Sequence, residues 1–147
     1  MIYIDEKALE GLYEDALLSF PFECCGFLLG VEEGNKRSIK SIKRVTNLSE
    51  EDQRRRFSIS ATDYLQAEKQ AEENNLLLLG IYHSHPDHPA VPSETDRLSA
   101  LPYFSYVIIS VMNNKISHTR SWRLNENNQF EEEHSNLIIS TSIIIKN

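Results

Sequence analysis

Two imidazoles, a hydroxyl and a carboxylate lie close together in one stretch of the chain: His83 and His85 flank Ser84, and after seven intervening residues come Ser93-Glu94-Thr95-Asp96. Residue types of this kind at this spacing hold a divalent metal. On a strand, residues two apart share a face, so the two imidazoles start about 7 Å apart and can converge on one ion at about 2.0 to 2.1 Å. Ser84 then faces away. The intervening Pro86-Asp87-His88-Pro89-Ala90-Val91-Pro92 contains three prolines, whose fixed φ limits the loop and lets Asp96 return as a third ligand at small ordering cost.

The ligand count points to catalysis. Structural zinc is normally closed by four protein ligands, mostly thiolates, whereas catalytic zinc keeps one position open. Two imidazoles and one carboxylate make such an open set, in which zinc lowers the pKa of a bound water to about 7 and polarises a carbonyl. A general base is needed near that water, and a carboxylate from another strand is the economical source. Glu23, directly after Pro21-Phe22 and ahead of an apolar segment, is on offer.

Taken singly, these signals have plainer readings. An H-x-H pair often belongs to surface or core histidines, and Ser93 and Asp96 are also spaced as a helix N-cap and its third helical residue. Glu23 alone is an ordinary exposed acid, because its separation of 60 positions from His83 carries no geometric information. His88 as a fourth ligand would close the site, so it reads as a solvent-facing loop histidine. His118 and His134 read as structural or exposed. The run Arg54-Arg55-Arg56 reads as a solvated loop that could meet an acidic partner surface. Tyr103, Phe104 and Tyr106 read as core and rim packing.

The elements that must position these groups follow from periodicity. Ala8, Leu9, Leu12, Tyr13, Ala16 and Leu17 recur at helical spacing, predicting a helix from Asp5 to Ser19 closed by Pro21. Glu23 to Gly30 is apolar on both sides, as in a central strand with glycines where another backbone comes close. Gly34-Asn35 marks a turn. Arg37 to Leu48 and Arg56 to Ser60 are predicted as more exposed strands around the charged loop Ser49 to Arg55. Ser60-Ala61-Thr62-Asp63 has capping-box spacing and opens a helix ending at Asn74-Asn75. The continuous apolar run Leu76 to Tyr82 is a strand buried on both faces, with the histidines at its end and Pro86 stopping it. Ser93 opens a short helix. Ser105 to Met112 and Lys115 to Leu124 form a hairpin across Asn113-Asn114. Glu126 to Ser135 is polar and acidic, and Leu137 to Ile145 is β-prone, either an added strand or a partner-dependent edge.

Composition bounds the partners. At 147 residues one domain can bury about two-thirds of its unfolded surface without disulfides or structural metal. Fifteen Lys and Arg against 22 Asp and Glu, a net charge of −7, oppose binding to nucleic acid or an anionic membrane. The start mixes acids into its apolar residues and lacks the basic and uninterrupted apolar regions of a signal peptide. No stretch reaches the length of a membrane span. Cys24 and Cys25 are adjacent, point to opposite faces of a strand and read as small buried hydrophobes in a reducing cytoplasm, the expected location.

Pro21-Phe22-Glu23-Cys24-Cys25-Gly26-Phe27-Leu28-Leu29-Gly30 together with HSHPDHPAVPSETD resembles the JAMM or MPN-plus metalloprotease family, closest to its minimal bacterial branch. The resemblance implies an α/β single domain with a mixed β-sheet flanked by helices, the JAMM/MPN (cytidine-deaminase-like) architecture. It implies one zinc ion on His83, His85 and Asp96, with Glu23 as general acid/base and Ser93 helping to stabilise the tetrahedral intermediate. Glu23 would take a proton from the attacking water and give it to the departing amine, with no covalent enzyme intermediate. The implied substrate is the amide bond after the C-terminal Gly-Gly of a ubiquitin-like or sulfur-carrier protein. Six residues separate Asp96 from Tyr103, leaving no space for the insertion with which eukaryotic relatives hold polyubiquitin, so a small carrier is favoured. The resemblance extends from the first helix through Leu124, dividing the chain into a domain over 1–133 and an extension over 134–147. Two other readings stay open: a zinc amidohydrolase or peptidase acting on small substrates, and a non-catalytic MPN scaffold, although all five site residues are present. A zinc deaminase is disfavoured by the absence of a Cys-x-x-Cys pair.

Overall fold

The computed structural model describes residues 1–139 and 143–145. In chain order they form β1 (Ile2–Ile4), α1 (Glu6–Ser19), β2 (Cys25–Glu33), β3 (Lys36–Val45), α2 (Ala61–Glu73), β4 (Leu77–Pro86), α3 (Glu94–Ser99), β5 (Ser105–Met112), β6 (Lys115–Leu124), β7 (Phe130–Glu133), β8 (Ser135–Ile139) and β9 (Ile143–Ile145). Among the described residues the strands make one mixed sheet in the order β7-β6-β5-β4-β2-β3-β1-β8-β9. β4 lies beside the central strand β2, antiparallel to it and parallel to β5. This is the α/β single domain with a helix-flanked mixed sheet that the sequence predicts. No helix of the described residues is long and apolar enough to cross a membrane.

Each face of the sheet buries one helix. The apolar stripe of α1, Ala8, Leu9, Leu12 and Ala16, packs on Leu28, Ile39, Leu79, Tyr82 and Val107; complete burial of a leucine of this kind contributes about 1.5 to 3 kcal/mol. The Tyr82 hydroxyl donates to Asp15 Oδ2 at 2.7 Å and ties α1 to β4. On the opposite face Ala67 and Ala71 of α2 pack on Phe27, Leu29, Ile81 and Tyr106. β4 is therefore covered on both sides, as its unbroken apolar run requires.

Local signals account for the boundaries. Ser60 Oγ accepts the Asp63 N–H at 3.1 Å, capping α2, and Asn75 stops the helix with φ of 56°. Asn113 and Asn114 both have positive φ, 52° and 64°, the backbone of a two-residue hairpin turn. Gly26 is required where it stands, because a Cβ there would collide with the Tyr82 ring and the Lys43 carbonyl.

Three features depart from expectation. Arg56 to Ser60 joins no strand ladder: the side chain of Asn47 stands where a neighbouring strand would, donating to Arg56 O at 2.9 Å and accepting the Ser58 N–H at 3.1 Å. The alternation there has another cause, since Phe57 and Ile59 pack against the apolar cluster beneath α2. The short strands β1 and β7 arise from pairing, β1 between the distant β3 and β8 and β7 on the adjacent β6 across residues 125–129. Arg37, expected on an exposed strand, is 1 % exposed. Its guanidinium pairs with Glu32 at 2.8 Å, donates to Leu79 O and Ser105 Oγ at 3.1 Å, and stacks on Tyr103. In the β-prone C-terminal stretch, β8 pairs in parallel with β1 and β9 pairs with β8, while residues 140–142 lie outside those described.

Candidate metal and catalytic centre

Register brings distant residues to one place. In the β2–β4 ladder Cys25 stands opposite His83 and Gly26 opposite Tyr82. The Ser84 N–H donates to Cys24 O at 3.2 Å, and continuing the same register sets Glu23 opposite His85. Side chains alternate along a strand, so Glu23, Cys25, His83 and His85 share one face. Ser84 points to the other, where its Oγ accepts the buried Cys24 N–H at 2.8 Å and binds the Glu23-Cys24 segment to β4. α3 supplies the remaining groups from across the proline-rich loop.

The three expected ligands meet. His83 Nε2 and His85 Nε2 are 3.1 Å apart, and each is 3.2 Å from Asp96 Oδ2. Tetrahedral coordination with bonds of about 2.0 to 2.1 Å separates its ligands by about 3.3 to 3.4 Å, so this triangle has the size of three corners of a zinc site with the fourth open. The His85 ring is oriented by Pro89 O, 2.8 Å from Nδ1; a carbonyl can only accept, so Nδ1 carries the proton and the Nε2 lone pair faces the triangle. His83 is clamped by Phe57, whose ring stacks on the imidazole with centroids 4.6 Å apart.

Ser93 and Asp96 perform the helix-capping role as well. Ser93 Oγ accepts the Asp96 N–H at 3.0 Å, and Asp96 Oδ2 accepts the Ser93 N–H at 2.9 Å, a reciprocal capping box at the start of α3. Capping and ligation are compatible because a carboxylate oxygen has room for several partners.

The electrostatics suit a cation. Burial, and then the negative charge of Asp96, push the Glu23 carboxyl up from 4.5 to about 9, only partly offset by Arg56. Glu23 is 6 % exposed and its buried Oε1 has no hydrogen-bond partner, an arrangement that is unfavourable without a compensating charge or water. Burial also works against an ionised Asp96, but the neighbouring His83 and the hydrogen bond from the Ser93 backbone hold its carboxyl well below the usual range. Burial lowers the His83 pKa, against the opposing pull of Asp96. A neutral imidazole and an ionised carboxylate are the forms that ligate metal. The Cys24 and Cys25 thiols, both free, are pushed up by burial and stay unreactive.

Two cavities flank the triangle. One of about 260 Å³ lies against His83 and Asp96 and is walled by Phe57, Ile59, Tyr64 and Tyr106. The other, of about 320 Å³, is lined by Glu23, His85, Ser93, Pro89 and Val91. Arg55 and Arg56 line both, so two of the three arginines of the run belong to the site and are more than a solvated loop. Phe57 escaped the sequence reading, which placed the arginines in a loop that could meet an acidic partner and Pro89 among the stiffening prolines; the alternation of Phe57 and Ile59 was the signal that could have located this wall of the site. His88 is exposed and edges the second cavity, while His118 Nε2 accepts the Ala90 N–H at 2.9 Å and braces the loop.

Residues 5–125 match the family model described as prokaryotic homologs of the JAB domain. A desampylase from Pyrococcus furiosus is 31 % identical over 110 residues, covering 75 % of this chain and 72 % of that protein. The solution structure of a protein from Desulfitobacterium hafniense superposes with a TM-score of 0.83 at 31 % identity, over 95 % of this chain and 94 % of that one. One from Salinibacter ruber gives 0.70 at 32 % identity, over 99 % and 96 %.

Proposed function

This chain belongs to the family of prokaryotic JAB-domain homologs, and on that premise we propose that it is a JAMM-type zinc isopeptidase that hydrolyses the amide bond after the C-terminal glycine of a ubiquitin-like or sulfur-carrier protein. The observation that carries this reading is the preformed His83-His85-Asp96 triangle beside the buried, unpartnered Glu23 carboxyl. The desampylase relative supports a protein modifier as substrate. Residues 1–133 constitute the catalytic domain in this reading, and 134–147 an extension of it.

Zinc held by His83, His85 and Asp96 would polarise the scissile carbonyl and acidify water. Burial favours the protonated form of Glu23, and a cation held beside it would favour the ionised form that can act as a base. Glu23 accepts a proton from the attacking water as the water oxygen bonds to the carbonyl carbon. The C–N bond then breaks and Glu23 returns the proton to the amine. Ser93 caps α3 with a lone pair of Oγ, so its O–H remains free to donate to the carbonyl oxygen as negative charge develops there. Since Glu23 lines the 320 Å³ cavity, the amine leaves on that side and the acyl chain occupies the narrow cavity by His83. Glycines, lacking side chains, can thread such a slot beside residues 56–59.

Intact-mass measurement of carrier proteins bearing a C-terminal cysteine or lysine adduct, with and without chelator, tests the proposal. Metal-dependent mass loss at the glycine terminus is expected. Turnover of small amides but never of carrier adducts would replace it with the small-substrate amidohydrolase.

A further inference from the structure

We infer that Arg55, which lines the cavity together with Arg56, forms a carboxylate-binding subsite on the leaving-group side of the centre, so that the released amine is an amino acid with a free carboxylate. This rests on the isopeptidase reading above and specifies its leaving group. The chain has a net charge of −7, yet the cavity into which the amine departs sets two arginines against the single carboxyl of Glu23. Arg56 already has an anionic partner in Glu51 at 3.4 Å. The Arg55 guanidinium is exposed and, among the described residues, has neither a hydrogen bond nor an ion pair.

An arginine fork is matched to a carboxylate by two parallel N–H···O bonds, a geometry that a lone ammonium lacks. The cavity's 320 Å³ is at the small end of the range of about 300 to 1,000 Å³ for ligand sites, the size for one residue and not for a folded surface. A lysine side chain within a protein presents no charge of this sign next to its nitrogen, because its own carboxyl is in a peptide bond. An α-amino acid presents one two bonds from the nitrogen. The carboxylate is a spectator in hydrolysis: water is divided between the acyl carbon and the amine, and Arg55 acts only on which amine is bound.

The test uses the zinc-loaded enzyme and two carriers ending in Gly-Gly, ubiquitin and a bacterial sulfur-carrier protein, each extended by alanine or by alaninamide. The expected kcat/KM ratio of acid to amide is about tenfold or more in the native enzyme, expressed mainly in KM. In Arg55→Ala that ratio falls toward one, and Arg55→Lys restores part of it. Equal turnover of acid and amide by the native enzyme, or a ratio unchanged in Arg55→Ala, overturns the subsite while the isopeptidase reading stands. Failure to cleave any of the conjugates overturns both.

Discussion

Replacing Glu23 by glutamine should weaken the enzyme and strengthen the fold. Glu23 is almost fully buried, and its folded pKa of about 9 lies above the ordinary 4.5. The folded protein therefore holds the proton more tightly than the unfolded chain does. The associated stability is present in full below pH 4.5 and is lost progressively as pH rises to about 9. At about 1.4 kcal/mol per pH unit, the loss reaches about 3 kcal/mol at pH 7 and about 6 at pH 9. That is a large fraction of the roughly 5 to 15 kcal/mol that holds a domain together. Glutamine has the same shape and never ionises. Urea unfolding of chelator-treated protein should show Glu23→Gln equal to the native protein near pH 5 and more stable by an amount that grows with pH, while zinc narrows the gap by offsetting the carboxylate charge. In the loaded enzyme the same variant should lose about 10² to 10⁴ in turnover with its zinc retained. A stability gap that does not change between pH 5 and 9 would mean that the carboxyl is ionised and solvated in the fold, and the assignment of Glu23 as a buried base would be abandoned.

Substitutions at three further positions separate the roles assigned around it. Asp96→Asn keeps an oxygen for the Ser93 N–H but removes the charge shared by both histidines; zinc affinity, read by chelator competition, should fall, and the metal-free melting temperature at neutral pH should fall as well, because a carboxyl held well below the usual range contributes stability while ionised. Ser93→Ala should destabilise by about 1 kcal/mol through loss of the cap and lower kcat by about 10² through loss of the O–H donor. Ser93→Thr should recover both, and a normal kcat in the alanine variant would limit Ser93 to capping. Ser84→Ala strands the buried Cys24 N–H, costing about 1 to 3 kcal/mol in urea unfolding. It should also reduce kcat more than zinc content, because Glu23 hangs on the segment that this bond secures.

The groups local in sequence were legible from it. His83, His85 and Asp96 lie within 14 residues, so strand alternation and a stiff proline loop suffice to converge them. The long periodic elements α1, α2, β4, β5 and β6 were legible for the same reason, as were the turns whose asparagines take positive φ. β1 and β7 were not, because strands of three or four residues have little intrinsic preference and exist through the partners that pair with them. Arg37 shows the same limit: a charge at an apparently exposed position is buried because Glu32, Leu79 and Ser105 converge on it from other parts of the chain.

What the sequence determined by itself was the inventory of the centre, two imidazoles and a carboxylate with a serine and a glutamate in reserve, and the helix and strand periods that carry them. The tertiary structure decided how those groups relate. The β2–β4 register spans the 60 positions between Glu23 and His83, burial turns an ordinary glutamate into a proton-holding one, and the hydroxyl of Ser93 caps with a lone pair while its proton stays available. It also drew Arg55, Arg56 and Phe57 from a loop into the walls of the site. Register, burial and wall contacts are relations between distant segments, and neither propensity nor spacing along one segment encodes them.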